Sequence, residues 1–302
     1  MNFNRQYTIL AGVPGHMGFE LSSVGKARPL HINFDLEKSD NSTSNTGKLQ
    51  ISNLNNEHKA ILSEEGCIVE IRAGYSDTLG SIFLGGVMNP SETLQNADRT
   101  LELELFDGQS YNDTVGSISM NGIVTGTSLL SELQSKMGIE SAILTEKASS
   151  MLQTAKYSNG YCYVGKLKTA LQSLTSKADL NYSIQNGVLQ IFAAGEAITT
   201  QAYVISVDTG LISIPKKITI SQTSTSKSGS MKDGVSITAE TGNGIPGYEI
   251  EYLINGAIGI NDLVKIESRE VNGIFRICKQ HYSGDNYSGD WKCTAQVVEV
   301  SI

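Results

Sequence analysis

The sequence predicts a mainly β protein with a small α+β part, in which two barrel-like β domains flank a central α+β domain. Apolar and polar residues alternate with period two in many short segments, whereas helical periodicity is confined to the middle of the chain. Glycine is common (30 residues) and proline scarce (5), which suits short strands joined by tight turns. The predicted domains cover residues 1–110, 111–208 and 209–302.

Short strands dominate the first domain. Residues 30–36 alternate between apolar and polar side chains, so one face of this segment would pack on a core. The polar segment 39–47 is typical of a loop, and residues 55–63 resemble a short helix. Further strands are predicted at residues 49–51, 67–75, 82–87 and 101–106. So many short strands need closure, which favours a barrel.

The central domain carries the helices. Thr127 is placed to cap a helix that buries Leu129, Leu133 and Met137 and ends at Gly138. A second helix is predicted from Lys166 to Lys177, with a leucine stripe typical of a core face. The strand patterns 180–184 and 188–192 flank Asn186-Gly187, which is the strongest short signal for a β-hairpin.

The last domain returns to strands. Residues 209–215 are predicted to be a linker or a first edge strand, and residues 221–234 a flexible loop. Strands are predicted at residues 235–239, 248–254 and 263–267, and a hairpin pairs residues 274–281 with 291–300.

Two of the four cysteines, Cys278 and Cys293, lie in the predicted hairpin. If its loop from Tyr282 to Gly289 is symmetric, the two cysteines lie directly opposite each other. A disulfide is compatible with that position, but assembly in a reducing cytoplasm favours two buried thiols. The cysteine spacings do not match those of zinc ligands.

The first and last domains share one order of apolar patches. Residues 51–61 precede the strands 68–71 and 81–84, and residues 250–258 precede the strands 263–266 and 273–276 in the same way. The sequence therefore predicts an internal duplication. One chain would carry two copies of one barrel, so three chains would present six around an axis.

The net charge of −8, with a pI near 5.1, argues against a surface that binds nucleic acid by neutralising phosphates. It is compatible with a channel wall that repels a passing polyanion. The first residues lack an apolar signal core, and no apolar run is long enough to cross a bilayer. We therefore expect synthesis in the cytoplasm and no stable membrane association.

The sequence predicts no enzyme, with no catalytic, cofactor-binding or metal residues. It contains no nucleophile elbow, phosphate loop or His-Glu-x-x-His motif. His281, Asp285 and Asp290 lie near one another in sequence, and a metal or acid–base site is conceivable there. The intervening Gly-Asp-Asn and Ser-Gly-Asp segments are typical of turns, which is the favoured interpretation.

In the C-terminal segment, residues 272–277 read NGIFRI, residues 281–286 read HYSGDN, and a Gly-Asp-Trp follows at 289–291. This segment resembles the end of baseplate and tail-hub proteins of contractile phage tails and related injection systems. The segments 210–215 (GLISIP) and 82–86 (IFLGG) also resemble motifs of this family, as do residues 51–54 (ISNL) and 73–75 (AGY). The resemblance covers most of the chain in the family's order.

This resemblance implies a homotrimer between a tail tube, or tube-initiator protein, and a central membrane-piercing spike. Two barrels per subunit would make a pseudo-six-fold ring in the virion baseplate, through which DNA or other cargo passes. Glu70 and Glu267, on corresponding strands of the duplication, are candidates for lining the channel.

Two alternatives remain for the function. A trimeric carbohydrate-binding or adhesive tail protein should show an aromatic-lined groove, for which 7% aromatic residues offer little material. A tail-associated cell-wall hydrolase should release products from purified peptidoglycan, although the sequence contains no motif for that chemistry. A hub should do neither, but should bind its tube and spike neighbours.

Overall fold

The computed structural model describes residues 4–95, 98–220 and 244–300. It is mostly β with a smaller helical part, as predicted. The predicted loop at 221–234 and the predicted strand at 235–239 lie outside the described residues. In the described part of the chain, no helix is both long and apolar enough to cross a membrane.

Residues 6–106 form the unit that we call the N-terminal repeat. In chain order its elements are β1 (Gln6–Gly12), β2 (Phe19–Ser22), β3 (Ile32–Ser39), β4 (Thr46–Ser52), α1 (Asn56–Leu62), β5 (Ile68–Gly74), β6 (Gly80–Gln95) and β7 (Asp98–Phe106). The alternation predicted from the sequence is present in β3, where Ile32, Phe34 and Leu36 are buried and the residues between them are exposed.

Residues 109–193 form the central unit. Its elements are α2 (Gln109–Asp113), β8 (Val115–Met120), β9 (Val124–Thr125), α3 (Gly126–Met137), β10 (Ala142–Leu144), α4 (Glu146–Thr154), β11 (Lys156–Tyr157), β12 (Tyr161–Lys166), α5 (Leu167–Lys177), β13 (Leu180–Gln185) and β14 (Val188–Ala193). The leucine stripes of α3 and α5 lie in one buried cluster with residues of β13 and β14. These stripes are core, as expected from their spacing.

Residues 202–299 form the C-terminal repeat. Its elements are β15 (Ala202–Ser206), β16 (Lys216–Ile220), β17 (Ile245–Leu253), β18 (Leu263–Glu267), β19 (Asn272–Asp285) and β20 (Trp291–Glu299). The predicted hairpin is present as β19 and β20. The domain limits at residues 110 and 208 remain a prediction.

The two repeats share one strand order. Neighbouring strands follow the order β1-β5-β6-β7-β4-β3 in the N-terminal repeat and β15-β18-β19-β20-β17-β16 in the C-terminal repeat. When β2 is left out and the strands of each repeat are numbered along the chain, both repeats have the same strand at every position of this order. The internal duplication predicted from the sequence is therefore confirmed as topology. One difference is that β1 runs antiparallel to β5, whereas β15 runs parallel to β18.

A single sheet joins the repeats, because β3 pairs with β19. The pairing is antiparallel and places Ser39 opposite Lys279 and Asn33 opposite Asp285. Thirteen strands of the described chain belong to this sheet. Its buried face forms one hydrophobic core with side chains from both repeats, separate from the core of the central unit. The β3–β19 pairing therefore fixes the two repeats relative to each other.

In the central unit, local sequence signals placed the hairpin turn well, placed helix α3 less well and missed helix α4. Asn186 and Gly187 both have positive φ (51° and 79°), as the predicted hairpin turn requires. Helix α3 begins two residues earlier than predicted, because the side chain of Thr125, not Thr127, accepts the capping hydrogen bond from the Ser128 N–H. The sequence analysis did not predict α4.

The expected position of Cys278 opposite Cys293 is wrong. The residue opposite Cys293 is Tyr282, and Cys278 lies in a β-bulge between Ile277 and Lys279. Both cysteines are free and buried. Burial is the main cause that raises the pKa of each thiol to about 12.

We expect a single thiol of the native protein to react quickly with a thiol reagent at pH 8. Cys162 is exposed, whereas Cys67, Cys278 and Cys293 are buried, and their raised pKa values leave little reactive thiolate. Counting reacted thiols before and after adding denaturant checks this. A Cys162→Ser control should show no fast reaction, and rapid labelling of two or more native thiols would contradict the expectation.

Candidate functional site

The most extensive candidate site is a polar face that crosses eight neighbouring strand segments. These run in the order β6 (residues 91–95), β7, β4, β3, β19 (residues 279–285), β20, β17 and β16. Because side chains alternate along a strand, one face is buried and the other is outward. In β3, β4 and β7 the outward residues are almost all polar. We call this outward side the polar face.

Side chains on the polar face are linked from strand to strand. In the N-terminal repeat, the Gln50 amide donates to the Glu102 carboxylate at 2.7 Å. Glu104 accepts at 2.8 Å from the amide of Asn89, which lies in the β6 irregularity just before the segment 91–95. These contacts join β4, β7 and β6, so the face is a connected layer of polar groups within one repeat.

The same layer crosses the junction between the repeats. His281 Nε2 lies 2.9 Å from a carboxylate oxygen of Asp35, and Lys279 Nζ lies 3.6 Å from a carboxylate oxygen of Glu37. Both contacts join β19 to β3. Farther into the C-terminal repeat, Lys292 donates to Glu251 at 3.2 Å. The polar face is therefore continuous across both repeats.

The polar face is acidic on balance. Eight carboxylates and four lysines lie on it: Asp35, Glu37, Asp98, Glu102, Glu104, Glu249, Glu251 and Asp285, with Lys48, Lys216, Lys279 and Lys292. Such a surface repels the phosphate backbone of a nucleic acid more than it attracts it. It can guide a passing polyanion without holding it.

The two carboxylates proposed from the sequence lie outside these eight segments. Glu70 lies on β5 and accepts two hydrogen bonds from the Arg72 guanidinium, at 2.9 Å each. Glu267 lies on β18, 2.7 Å from Lys265 Nζ. The sequence analysis missed the acidic residues of β3, β7 and β17, although their period-two spacing was visible.

The turn around Asp285 is a structural turn. Its carboxylate accepts hydrogen bonds from the N–H groups of Tyr287 and Ser288 and lies 3.0 Å from His31 Nε2. Burial acts to raise the pKa of Asp285, but the N–H donors and His31 outweigh it and hold the pKa below its usual range. Among the described residues, no three His, Cys, Asp or Glu side chains form a group that could hold a metal ion.

Trp291 anchors the same end of the sheet. It is 3% exposed, its ring packs edge-on against Phe34 with 5.2 Å between centroids, and its indole N–H donates to the Gly74 carbonyl at 3.2 Å. It therefore contacts both repeats and is not a ligand platform.

At the other end of the strands, the central unit attaches through the Asn186-Gly187 turn. The N–H groups of both residues donate to the Asp107 carboxylate, at 2.7 and 3.2 Å. The side-chain oxygen of Asn186 accepts from Lys38 Nζ at 3.0 Å. Lys38 and Asp107 are buried (4% and 2% exposed), so this contact is shielded from solvent.

A second buried contact connects the central unit to the C-terminal repeat. Gln190 accepts from the Asn261 amide at 2.8 Å, and Asn261 in turn accepts from Arg276. Arg276 also donates to Asp40 at 2.7 Å and lies over the Phe192 ring. The central unit therefore contacts both repeats beside their junction.

No family model matches the sequence, and no curated protein matches it. The structure is similar to a tail protein from Neisseria meningitidis MC58, with a TM-score of 0.63, 11% identity, and coverage of 97% of this chain and 96% of that one. It is also similar to the 43 kDa tail protein of prophage MuSo2 from Shewanella oneidensis, with a TM-score of 0.60, 13% identity and 98% coverage of both chains.

A third similar structure is an E. coli component of the type VI secretion system, itself described as structurally similar to the bacteriophage T4 tail proteins gp27 and gp5. Its TM-score is 0.54 at 8% identity, with coverage of 92% of this chain and 76% of that one. At these identities the comparisons show the fold. The resemblance seen in the sequence is thus matched by structure, and the chain has the fold of these tail proteins.

Proposed function

We propose that this chain is a structural hub of a phage tail or a related contractile injection system. Three copies form a ring, to which each copy contributes two repeats of the same strand order. The ring is three-fold in its chains and pseudo-six-fold in its repeats. The polar face, continuous across both repeats, is the observation that carries this proposal.

In this ring the polar face lines the channel. A wall that carries more carboxylates than lysines lets DNA or another anionic cargo pass without binding it. The lining residues are those of the polar face, such as Asp35, Glu102 and Glu104. They replace Glu70 and Glu267, which lie on strands outside the eight segments.

The ring joins the tail tube, or a tube-initiator protein, on one side to the central spike on the other. Six similar repeats match a six-fold tube, and three chains match a three-fold spike. DNA contacts the chain only while it passes through the channel. The chain is assembled in the host cytoplasm and resides in the virion baseplate, where its role is mechanical. The shared fold with tail proteins and with a type VI secretion component supports this placement.

Native mass across a range of concentrations tests the proposal. We expect a species of three times 32.5 kDa, in equilibrium with the monomer on dilution. If the purified chain stays monomeric, mixing it with the tube and spike proteins of the same particle should yield a complex that contains three copies. The hub would be contradicted if the pure chain stays monomeric and the complex with the tube and spike proteins contains a number of copies other than three.

A further inference from the structure

Two strand edges that bound the polar face have no partner among the described residues. The outer edge of β16 ends the large sheet, and residues 91–94 of β6 pair with β7 on one side alone. Unpaired edges present backbone N–H and C=O groups that can pair with another chain. The two edges bound the eight-segment polar face at its opposite ends.

The junction between the repeats shows what such an edge accepts. Along one edge, β19 pairs first with β18 and then, from Lys279 onward, with β3. A bulge at Ile277 separates the two partners. β6 is built in the same way: it pairs first with β5 and then shows an irregularity between Met88 and Ser91. In β6, however, the edge beyond the bulge is vacant among the described residues.

We propose that β16 of one copy fills this edge of the next copy, so that each copy pairs through its C-terminal repeat with the N-terminal repeat of its neighbour. This inference rests on the proposed hub and names the surfaces that meet in the ring. In the shared strand order, β16 corresponds to β3 and β6 corresponds to β19. The contact between copies therefore repeats the contact already present within each copy, and such a head-to-tail contact can close into a ring.

The shared strand order also assigns the register. Ser91 of β6 corresponds to Lys279 of β19, because each is the first paired residue after its bulge. Following the paired residues from β6 through β7 and β4 to β3, and from β19 through β20 and β17 to β16, matches Asn33 with Lys216. The β3–β19 register then places Thr93 of one copy opposite Ile220 of the next.

A second contact lies at the hairpin tips. Within the chain, the β19–β20 tip binds the segment before β3: Asn286 accepts from the Ile32 N–H at 2.8 Å, and the Tyr287 ring stacks on His31 with 4.8 Å between centroids. The corresponding tip of β6–β7 carries Leu94, which is 67% exposed.

The segment before β16 offers the matching surface. Ile212 and Ile214 are 51% and 69% exposed there. Exposed apolar side chains at both places where the duplication predicts a contact indicate surfaces that are buried in the assembled ring.

Engineered cysteines test the register, in a Cys162→Ser background that removes the exposed thiol. Directly opposite strand residues have Cα atoms about 4.5–5.5 Å apart, which suits a disulfide. We expect Thr93→Cys/Ile220→Cys to form reducible oligomers that end at three chains. The two edges of one copy lie seven strand spacings apart, roughly 33 Å along the sheet. The mass of the crosslinked species shows whether the disulfide joins two copies, and a disulfide within one chain would overturn the interface. In the matched control, Thr93→Cys/Lys216→Cys, the cysteines are about 13 Å apart and should not crosslink.

Charged substitutions test the tips. Leu94→Asp and Ile214→Asp should each raise the concentration needed for half-assembly by about tenfold or more. The control Val164→Asp changes an apolar residue that is 77% exposed on the central unit and should leave assembly unchanged.

The outcomes separate this inference from the hub itself. A three-copy native mass without the Thr93–Ile220 disulfide, or with crosslinking in the Lys216 control, overturns the interface and leaves the hub. A chain that stays monomeric at every concentration and with its tail partners overturns both.

Discussion

The variant Gly284→Val is expected to lose about 3 kcal/mol of unfolding free energy, because it overpacks the junction between the repeats. Gly284 on β19 lies directly opposite Phe34 on β3. A Cβ atom at position 284 would lie 2.1 Å from the tip of the Phe34 ring. Phe34 is itself 1% exposed and packs on Trp291, so its ring has no free space into which to move.

Valine has a higher strand propensity than glycine, so propensity alone predicts the opposite sign. Urea unfolding followed by fluorescence measures the effect directly, since Trp291 is the one tryptophan of the chain and contacts the Phe34 ring. Ser283→Val, at the next position but on the polar face, is the matched control and should change stability by no more than about 0.5 kcal/mol. Equal losses in both variants would mean that packing at this junction is not what holds the repeats together.

Features governed by a few neighbouring residues could be predicted from the sequence. The Asn186-Gly187 turn needs two residues with positive φ, which this pair adopts at low cost. Helix α5 (Leu167–Lys177) matches its prediction within one residue, because the spacing of its leucines indicates a helix with one buried face. The duplication could also be predicted, since the order of apolar patches follows the order of strands.

Features set by distant pairing could not be predicted. The alternation in β3 shows that one face is buried, but not that β19 is its neighbour across more than 240 residues. The β19–β20 turn lies two residues later than the centre of the predicted loop 282–289, because Gly284 pairs with Trp291, so Tyr282 and not Cys278 lies opposite Cys293. The carboxylates of the polar face were likewise missed, because their common face depends on which strands lie side by side.

The variant Asp107→Ala is expected to lose about 3 kcal/mol of unfolding free energy, because it leaves buried groups without partners. The N–H groups of Asn186 and Gly187 and the amide of Asn45 would each lose a carboxylate acceptor. The buried ammonium of Lys38 would lose its nearby negative charge. Asp35→Ala, which removes an exposed carboxylate of the polar face, should cost far less.

The pH dependence of stability gives a second readout of the same group. Burial is the largest influence on Asp107 and raises its pKa, although Lys38 and the N–H donors oppose it. A raised carboxyl pKa in the folded state means that stability falls as pH increases from the ordinary Asp range through the raised pKa. Asp107→Asn should lack this fall, so its stability should decline less than that of the wild type over that window. If Asp107→Asn leaves the dependence of unfolding free energy on pH unchanged, a group other than Asp107 causes the fall.

A double-mutant cycle with Lys38→Met then decides whether the two charges act as a pair. Lys38 is buried, which lowers its pKa, and Asp107 is the largest of the charges that oppose that shift. Lys38→Met alone leaves the carboxylate buried without its cation, whereas Lys38→Met/Asp107→Asn removes both charges and retains most of the packing volume. We therefore expect the double variant to be more stable than the sum of the two single losses predicts. Strict additivity would mean that Asn186 holds the central unit through its neutral hydrogen bonds, and that the buried charges contribute independently.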